Sequence, residues 1–197
     1  MEAFNAKSLS KLVRSSGSAG LCGLQNLGNT CFMNSGLQCM SNIPELTKYF
    51  LMGYHLEEKN ETNPLGMKGR LAKAYGELLQ EMWNGKSGRT APHDLKRTLG
   101  SRISRFSGYG QQDSAELVNY LLDLINEDLN RVLSKPYVEM SDNADRPEAV
   151  VAKEYWDGFR ARNSSIIVDL MYGQLKSTVT CLTCGRIANA FDPYLSV

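Results

Sequence analysis

Gly23-Leu24-Gln25-Asn26-Leu27-Gly28-Asn29-Thr30-Cys31-Phe32-Met33-Asn34-Ser35-Gly36-Leu37-Gln38 reads as a turn-rich loop that delivers one cysteine to the start of a helix. Gly23 and Gly28 permit backbone angles closed to other residues. Asn29 and Thr30 are good N-cap types, and Thr30 directly precedes the cysteine. Behind it, Phe32, Gly36, Leu37 and Met40 share one helical face, with Met33 at its edge. Cys31 is therefore expected in the first turn.

That position suits a nucleophile. The thiolate is the reactive form, and a free thiol near pKa ~8.5 is only slightly ionised at neutral pH. The positive end of a helix dipole favours the anion. The same N–H groups can hold an oxyanion formed when a carbonyl is attacked. Asn26 lies five positions earlier, and its side-chain amide is a candidate second donor. The competing reading is a cysteine buried as a small hydrophobe. Polar and glycine residues crowd the approach to Cys31, which weakens that alternative.

The run from Gly23 to Ser35 resembles the cysteine box of the ubiquitin-specific proteases, a papain-like family of deubiquitinating enzymes. The resemblance implies Cys31 as nucleophile and Asn26 as oxyanion-hole residue. It implies ubiquitin and ubiquitinated proteins as partners. The implied fold is α+β, the first half of a papain-like cysteine peptidase.

Composition is compatible with that. The chain has 197 residues, 42% hydrophobic and 22% charged, as expected of one globular domain. Its net charge of +1 supplies no field for nucleic acid or an anionic membrane. No apolar run approaches a transmembrane span. Residues 1–20 lack a secretory core and read as a flexible tether through Ser15-Ser16-Gly17-Ser18-Ala19-Gly20. Five cysteines without framework spacing suggest a reducing compartment, cytoplasmic or nuclear.

Along the chain, the first helix is expected to stop near Asn42-Ile43-Pro44, and Pro44 opens a second that Gly53 closes. Tyr54 to Pro64 reads as a loop. Leu71, Ala74, Tyr75, Leu78, Leu79 and Met82 mark an amphipathic helix. A short helix follows from Pro92, with Thr90 near its cap. Ser141 to Arg146 reads as a polar turn. Asp145, Pro147 and Glu148 suggest the start of a helix reaching Arg162, with Val151, Trp156 and Phe159 in its core contacts. From Ile166 the pattern turns to strand, with alternation through Thr180 and a return over Ile187 to Tyr194. Helix is thus expected to about 162 and strands after 165.

Gly108-Tyr109-Gly110-Gln111-Gln112-Asp113-Ser114-Ala115-Glu116 is a second informative stretch. It leads into a stripe of Val118, Leu121, Leu122, Ile125 and Leu129. By spacing alone, Asp113 and Glu116 read as helix-capping acids. The stretch also resembles the family's second signature, whose acidic residues face the basic C-terminal tail of ubiquitin. Carried over, Gln112, Asp113 and Glu116 become substrate-binding candidates. Acids at a helix start can serve both purposes.

Cys181-Leu182-Thr183-Cys184-Gly185 is a knuckle of the kind that makes half of a four-cysteine zinc ribbon. A redox pair is the rival reading, but no thioredoxin-like context surrounds it. No second Cys-x-x-Cys occurs, so structural zinc is expected only as a half-site. The resemblance implies that the partner pair comes later in the family's fingers region.

A cysteine protease also needs a base and a group that orients it. The two histidines, His55 and His93, read as surface residues without the surroundings of the family's histidine box. Asn63 to Gly69 and Ala152 to Trp156 resemble the subgroup whose catalytic core is split by a ubiquitin-like insertion. The expectation is an incomplete catalytic half, 21–197, inactive alone. The alternative is a non-catalytic ubiquitin-binding fragment. A stand-alone metal or redox module on Cys181 and Cys184 is a third, weaker reading.

Overall fold

The computed structural model describes residues 19–139 and 146–195. The expected tether lies outside the described residues except for Ala19 and Gly20. The expected polar turn does too, except for Arg146.

The helices are α1 (Cys31–Ser41), α2 (Pro44–Leu51), α3 (Tyr54–Glu57), α4 (Arg70–Trp83), α5 (His93–Arg102), α6 (Ser114–Asp128), α7 (Glu148–Arg162) and α8 (Ile166–Met171). A 3-10 turn, Ser104–Phe106, links α5 to α6. Strands β1 (Gly23–Leu24) and β2 (Arg89–Thr90) pair in parallel. Strands β3 (Gly173–Thr180) and β4 (Ile187–Tyr194) form an antiparallel hairpin, from Gly173 opposite Tyr194 to Thr180 opposite Ile187. No helix among the described residues is long and apolar enough to cross a membrane.

The core lies where α1, α2, α4 and α6 meet. The predicted stripe of α4 is buried in full, from Leu71 through Met82. Tyr75 and Phe50 meet edge to face at 4.8 Å. A fully buried apolar side chain such as Phe50 contributes roughly 1.5–3 kcal/mol. Met33 sits in the centre of this core rather than at its edge. In α6 the stripe is shifted. Leu117 and Leu124 are buried, whereas Val118 is half-buried and packs against α1. There a Cβ on Gly36 would stand 2.7 Å from Val118 Cγ2, so glycine sets the α1–α6 approach.

A buried carboxylate caps α4 from a neighbouring helix. Asp128 closes α6 and accepts from the N–H groups of Met67 at 2.5 Å, Leu71 at 2.9 Å and Ala72 at 3.2 Å. Helix starts leave such N–H groups without intrahelical acceptors. Arg131 ties the end of α3 to α8 through Glu58 at 2.7 Å and Asp169 at 3.1 Å.

Several expectations are corrected. Residues 166–171 are helical, not strand. Ser165 Oγ accepts from Ile167 and Val168 N–H, and Ile167 and Val168 bury their side chains. The cap and the burial make residues 166–171 a helix, and the strand starts at Gly173. The stretch from Tyr54 contains α3, and its His55 is 2% exposed, not a surface residue. Gly23 is in β1 and has no positive φ. Thr90 belongs to β2 and Pro92 is the residue before α5. Helix α7 starts after Pro147 without a side-chain cap, and its Trp156 and Phe159 are only half-buried. They form a ring cluster with Tyr172 at 5.4 and 5.1 Å.

Candidate active site

Cys31 is the first residue of α1 and is exposed. The loop before it is held by the Asn26 carboxamide. Asn26 Oδ1 accepts from Gly28 N–H at 2.9 Å, Thr30 N–H at 3.0 Å and the Thr30 hydroxyl at 3.3 Å. With the oxygen turned into the loop, the Nδ2 end of the same planar group points the other way. Gly28, at φ 98°, and Asn29, at φ 55°, make consecutive left-handed steps into the helix. Thr30 Oγ1 accepts from Leu27 N–H at 2.9 Å and gives α1 no side-chain cap. Asn34 N–H makes the bond to the Thr30 carbonyl at 3.0 Å. The N–H groups ahead of it lack intrahelical acceptors, as at any helix start.

Two side chains of α1 fasten the incoming strand. Asn34 Nδ2 donates to the Leu24 and Gln25 carbonyls, both at 3.1 Å. One turn on, Gln38 Nε2 donates to the Cys22 carbonyl at 2.8 Å. Sequence reasoning missed both residues. Their signal was two amides four apart on the helix edge that faces the loop.

The second signature lies directly against the first. Asn29 Nδ2 donates to the Tyr109 carbonyl at 2.8 Å. A Cβ on Gly28 would meet Tyr109 Cδ1 at 2.8 Å. Ser114 Oγ donates to the Phe32 carbonyl at 2.9 Å. The starts of α1 and α6 are thus brought together.

Asp113 is the N-cap of α6, its side chain accepting from Glu116 N–H at 2.9 Å. The capping reading therefore holds for Asp113. Gln112 is half-exposed beside Gly110. Glu116 forms an ion pair with Arg105. It also lines a groove of about 500 Å³ with Asn119, Tyr120, Asp123, Tyr172 and Pro193. Burial, then the nearby Glu127, pushes the Asp123 carboxyl up, and Lys135 opposes this.

The histidines are elsewhere. His55 packs on Phe50 at 4.8 Å between α2 and α4. His93 is exposed at the start of α5.

Cys181 and Cys184 are exposed at the tip of the β3–β4 hairpin. Cys181 N–H donates to the Arg186 carbonyl, and Gly185 N–H, at φ 71°, to the Cys181 carbonyl, both at 2.9 Å. The Cys184 N–H, then the Thr183 N–H, lowers the Cys181 thiol below its usual range. Among the described residues no third metal-ligating side chain joins them. Two thiols at a tight knuckle fit half of a tetrahedral set.

The family model for ubiquitin carboxyl-terminal hydrolase matches residues 22–193. The chain belongs to this family. Among curated members it is similar to human ubiquitin carboxyl-terminal hydrolase 32, 55% identical over 175 residues, 89% of this chain and 11% of that protein. Bovine ubiquitin carboxyl-terminal hydrolase 4 is 54% identical, over 89% of this chain and 18% of its own length. Rat ubiquitin carboxyl-terminal hydrolase 15 is 52% identical over the same shares. The chain thus spans under a fifth of these relatives. Among solved structures it is similar to a chain of the SAGA Ubp8/Sgf11/Sus1/Sgf73 module bound to ubiquitin aldehyde. That match has a TM-score of 0.61 at 22% identity, covering 96% of this chain and 38% of the other. A second form of that module, bound to monoubiquitin, gives a TM-score of 0.62 at 22% identity, over 96% of this chain and 39% of the other. This hydrolase-family chain therefore has the helical and strand architecture expected of the papain-like fold, covering the N-terminal part of its catalytic domain.

Proposed function

We propose that this chain supplies the nucleophile-bearing half of a thiol deubiquitinase. The observation that carries the reading is the exposed Cys31 thiol at an uncapped helix start, beside a carboxamide whose oxygen is already committed to the loop. Cys31 as thiolate attacks the carbonyl carbon of ubiquitin's terminal glycine. The carbonyl electrons move to oxygen, and the Cys31 N–H and Asn26 Nδ2 stabilise the oxyanion. Collapse expels the target's amine, which takes up the proton that the base removed from the thiol, and leaves a thioester; water hydrolyses it to free ubiquitin carboxylate and the Cys31 thiol. Gln112, Asp113 and Glu116 receive the basic tail.

Neither His55, in the core, nor His93, at the start of α5, suits the role of base, so a histidine outside 1–197 is to take the thiol proton. Residues 1–197 alone then turn over no ubiquitin amide. The placement of His55 and His93 favours a second reading, a body that binds ubiquitin without hydrolysing it. The hairpin knuckle supports a half-site for structural zinc on Cys181 and Cys184, completed by thiols from another segment. Five free cysteines suit a reducing cytoplasm or nucleus.

The test is turnover of a ubiquitin amide by the gene-length protein and its Asn26→Asp variant. Aspartate keeps the oxygen that orders the loop and removes the donor. We expect kcat to fall by about 10²–10³ with KM little changed. Unchanged kcat would remove Asn26 from the oxyanion hole. No turnover by the gene-length protein itself would favour the binding-only reading.

A further inference from the structure

We propose that Arg105 is a built-in competitor for the Glu116 carboxylate, so that a substrate tail must bring its own cation to displace it. The inference rests on the reading of Glu116 as a tail-binding residue.

The ion pair joins the 3-10 turn Ser104–Phe106 to the first turn of α6. The turn is firmly placed. Phe106 is 1% exposed, with its ring 6.2 Å from that of Phe32 and 6.0 Å from that of Tyr120. Lys96 Nζ holds the next residues, donating to the Ser107 carbonyl at 3.0 Å and the Gly108 carbonyl at 2.9 Å. Arg105 thus reaches Glu116 from a fixed base, and only its side chain needs to move for the pair to part.

The pair is also accessible. The Arg105 and Glu116 side chains are 49% and 36% exposed. Exposed pairs hold weakly, because water screens them and two flexible side chains must be ordered. An incoming guanidinium can therefore replace Arg105. A neutral residue gains nothing at Glu116 and leaves the internal pair intact. Discrimination then comes from what the wrong tail fails to displace, as well as from what the right one contacts. The groove beside Glu116, with Asp123 further along α6, gives an extended cationic tail room to lie against the helix.

The experiment measures ubiquitin affinity at low salt for four forms of the chain: unaltered, Arg105→Gln, Glu116→Gln and the double variant. Melting curves confirm that all four are folded. Expected are tightening by about three- to fivefold in Arg105→Gln, weakening in Glu116→Gln, and a double variant equal to Glu116→Gln. If Glu116→Gln weakens binding but Arg105→Gln leaves it unchanged or weaker, Arg105 is no competitor and the tail-binding role of Glu116 stands. If Glu116→Gln binds as the unaltered chain does, that role falls and the inference with it. Absence of binding in all four forms overturns both.

Discussion

The Asn29 side-chain amide donates to the Tyr109 carbonyl at 2.8 Å, which fastens the cysteine loop to a loop eighty residues further along the chain. The contact depends on the left-handed steps at Gly28 and Asn29, and on the Tyr109 ring lying where a Cβ at Gly28 would be. An alanine at Gly28 is disfavoured twice, by its φ and by the ring. Gly28→Ala is expected to cost about 1–2 kcal/mol in urea unfolding and to slow modification of Cys31 by a ubiquitin-derived electrophile. Unchanged stability and unchanged modification would mean that the two loops are not coupled.

Asp128 is fully buried and serves three backbone N–H groups. Truncation leaves those donors without an acceptor in a site closed to water. Asp128→Ala is expected to destabilise by about 3 kcal/mol or more. Asp128→Asn, which keeps one accepting oxygen, should cost less. Chemical denaturation of the pair checks the order.

Burial holds the His55 imidazole below its ordinary pKa of 6.5. The folded state then prefers the neutral ring. Its contribution is fully present above the unfolded value and is lost as pH falls from about 6.5 towards the depressed folded value. In that window the unfolded chain binds more protons, so stability declines by at most ~1.4 kcal/mol per pH unit from this group. Urea midpoints at pH 7.5, 6.0 and 5.0 should fall with pH, and less steeply in His55→Leu. Parallel profiles would show that the decline comes from other groups.

The hairpin tip offers two thiols and, among the described residues, no third ligand. Two ligands bind zinc far more weakly than four. After dialysis the chain is expected to retain well under one equivalent of zinc by elemental analysis. Cys181→Ser should leave the melting of the helical body unchanged, because the tip is exposed. One full equivalent, lost on Cys181→Ser, would show that further ligands are present.

The legible parts of the sequence were those where local pattern and tertiary demand agree. Leu71 to Met82 faces the core in the order its spacing predicts, and Asp113 caps α6 as an acid at a helix start should. The hairpin from Gly173 to Tyr194 forms where strand was read, but Leu175 and Val179, on the expected apolar side, are exposed. The strand reading, which rests on alternation from Met171, extends too far back when it starts at Ile166. Ser165 and packing against α2 and α6 make a helix instead. His55 carries no motif and is buried by the Phe50 ring and the bare surface of Gly76, which composition cannot reveal. The Arg105–Glu116 pair and the β1–β2 ladder join residues 11 and 66 positions apart, and depend on how loops are placed. At the start of α1, the place of Cys31 in the first turn was legible. The orientation of the Asn26 carboxamide, and the grip of Asn34 and Gln38 on the strand before it, were not.

The most direct test is covalent capture with ubiquitin carrying a C-terminal electrophile, applied to the gene-length protein and its Cys31→Ser variant, with the adduct mapped by mass spectrometry. One adduct on Cys31, and none in Cys31→Ser, is the predicted result. Equal capture of both proteins, or an adduct on the exposed Cys39 instead, would contradict the assignment.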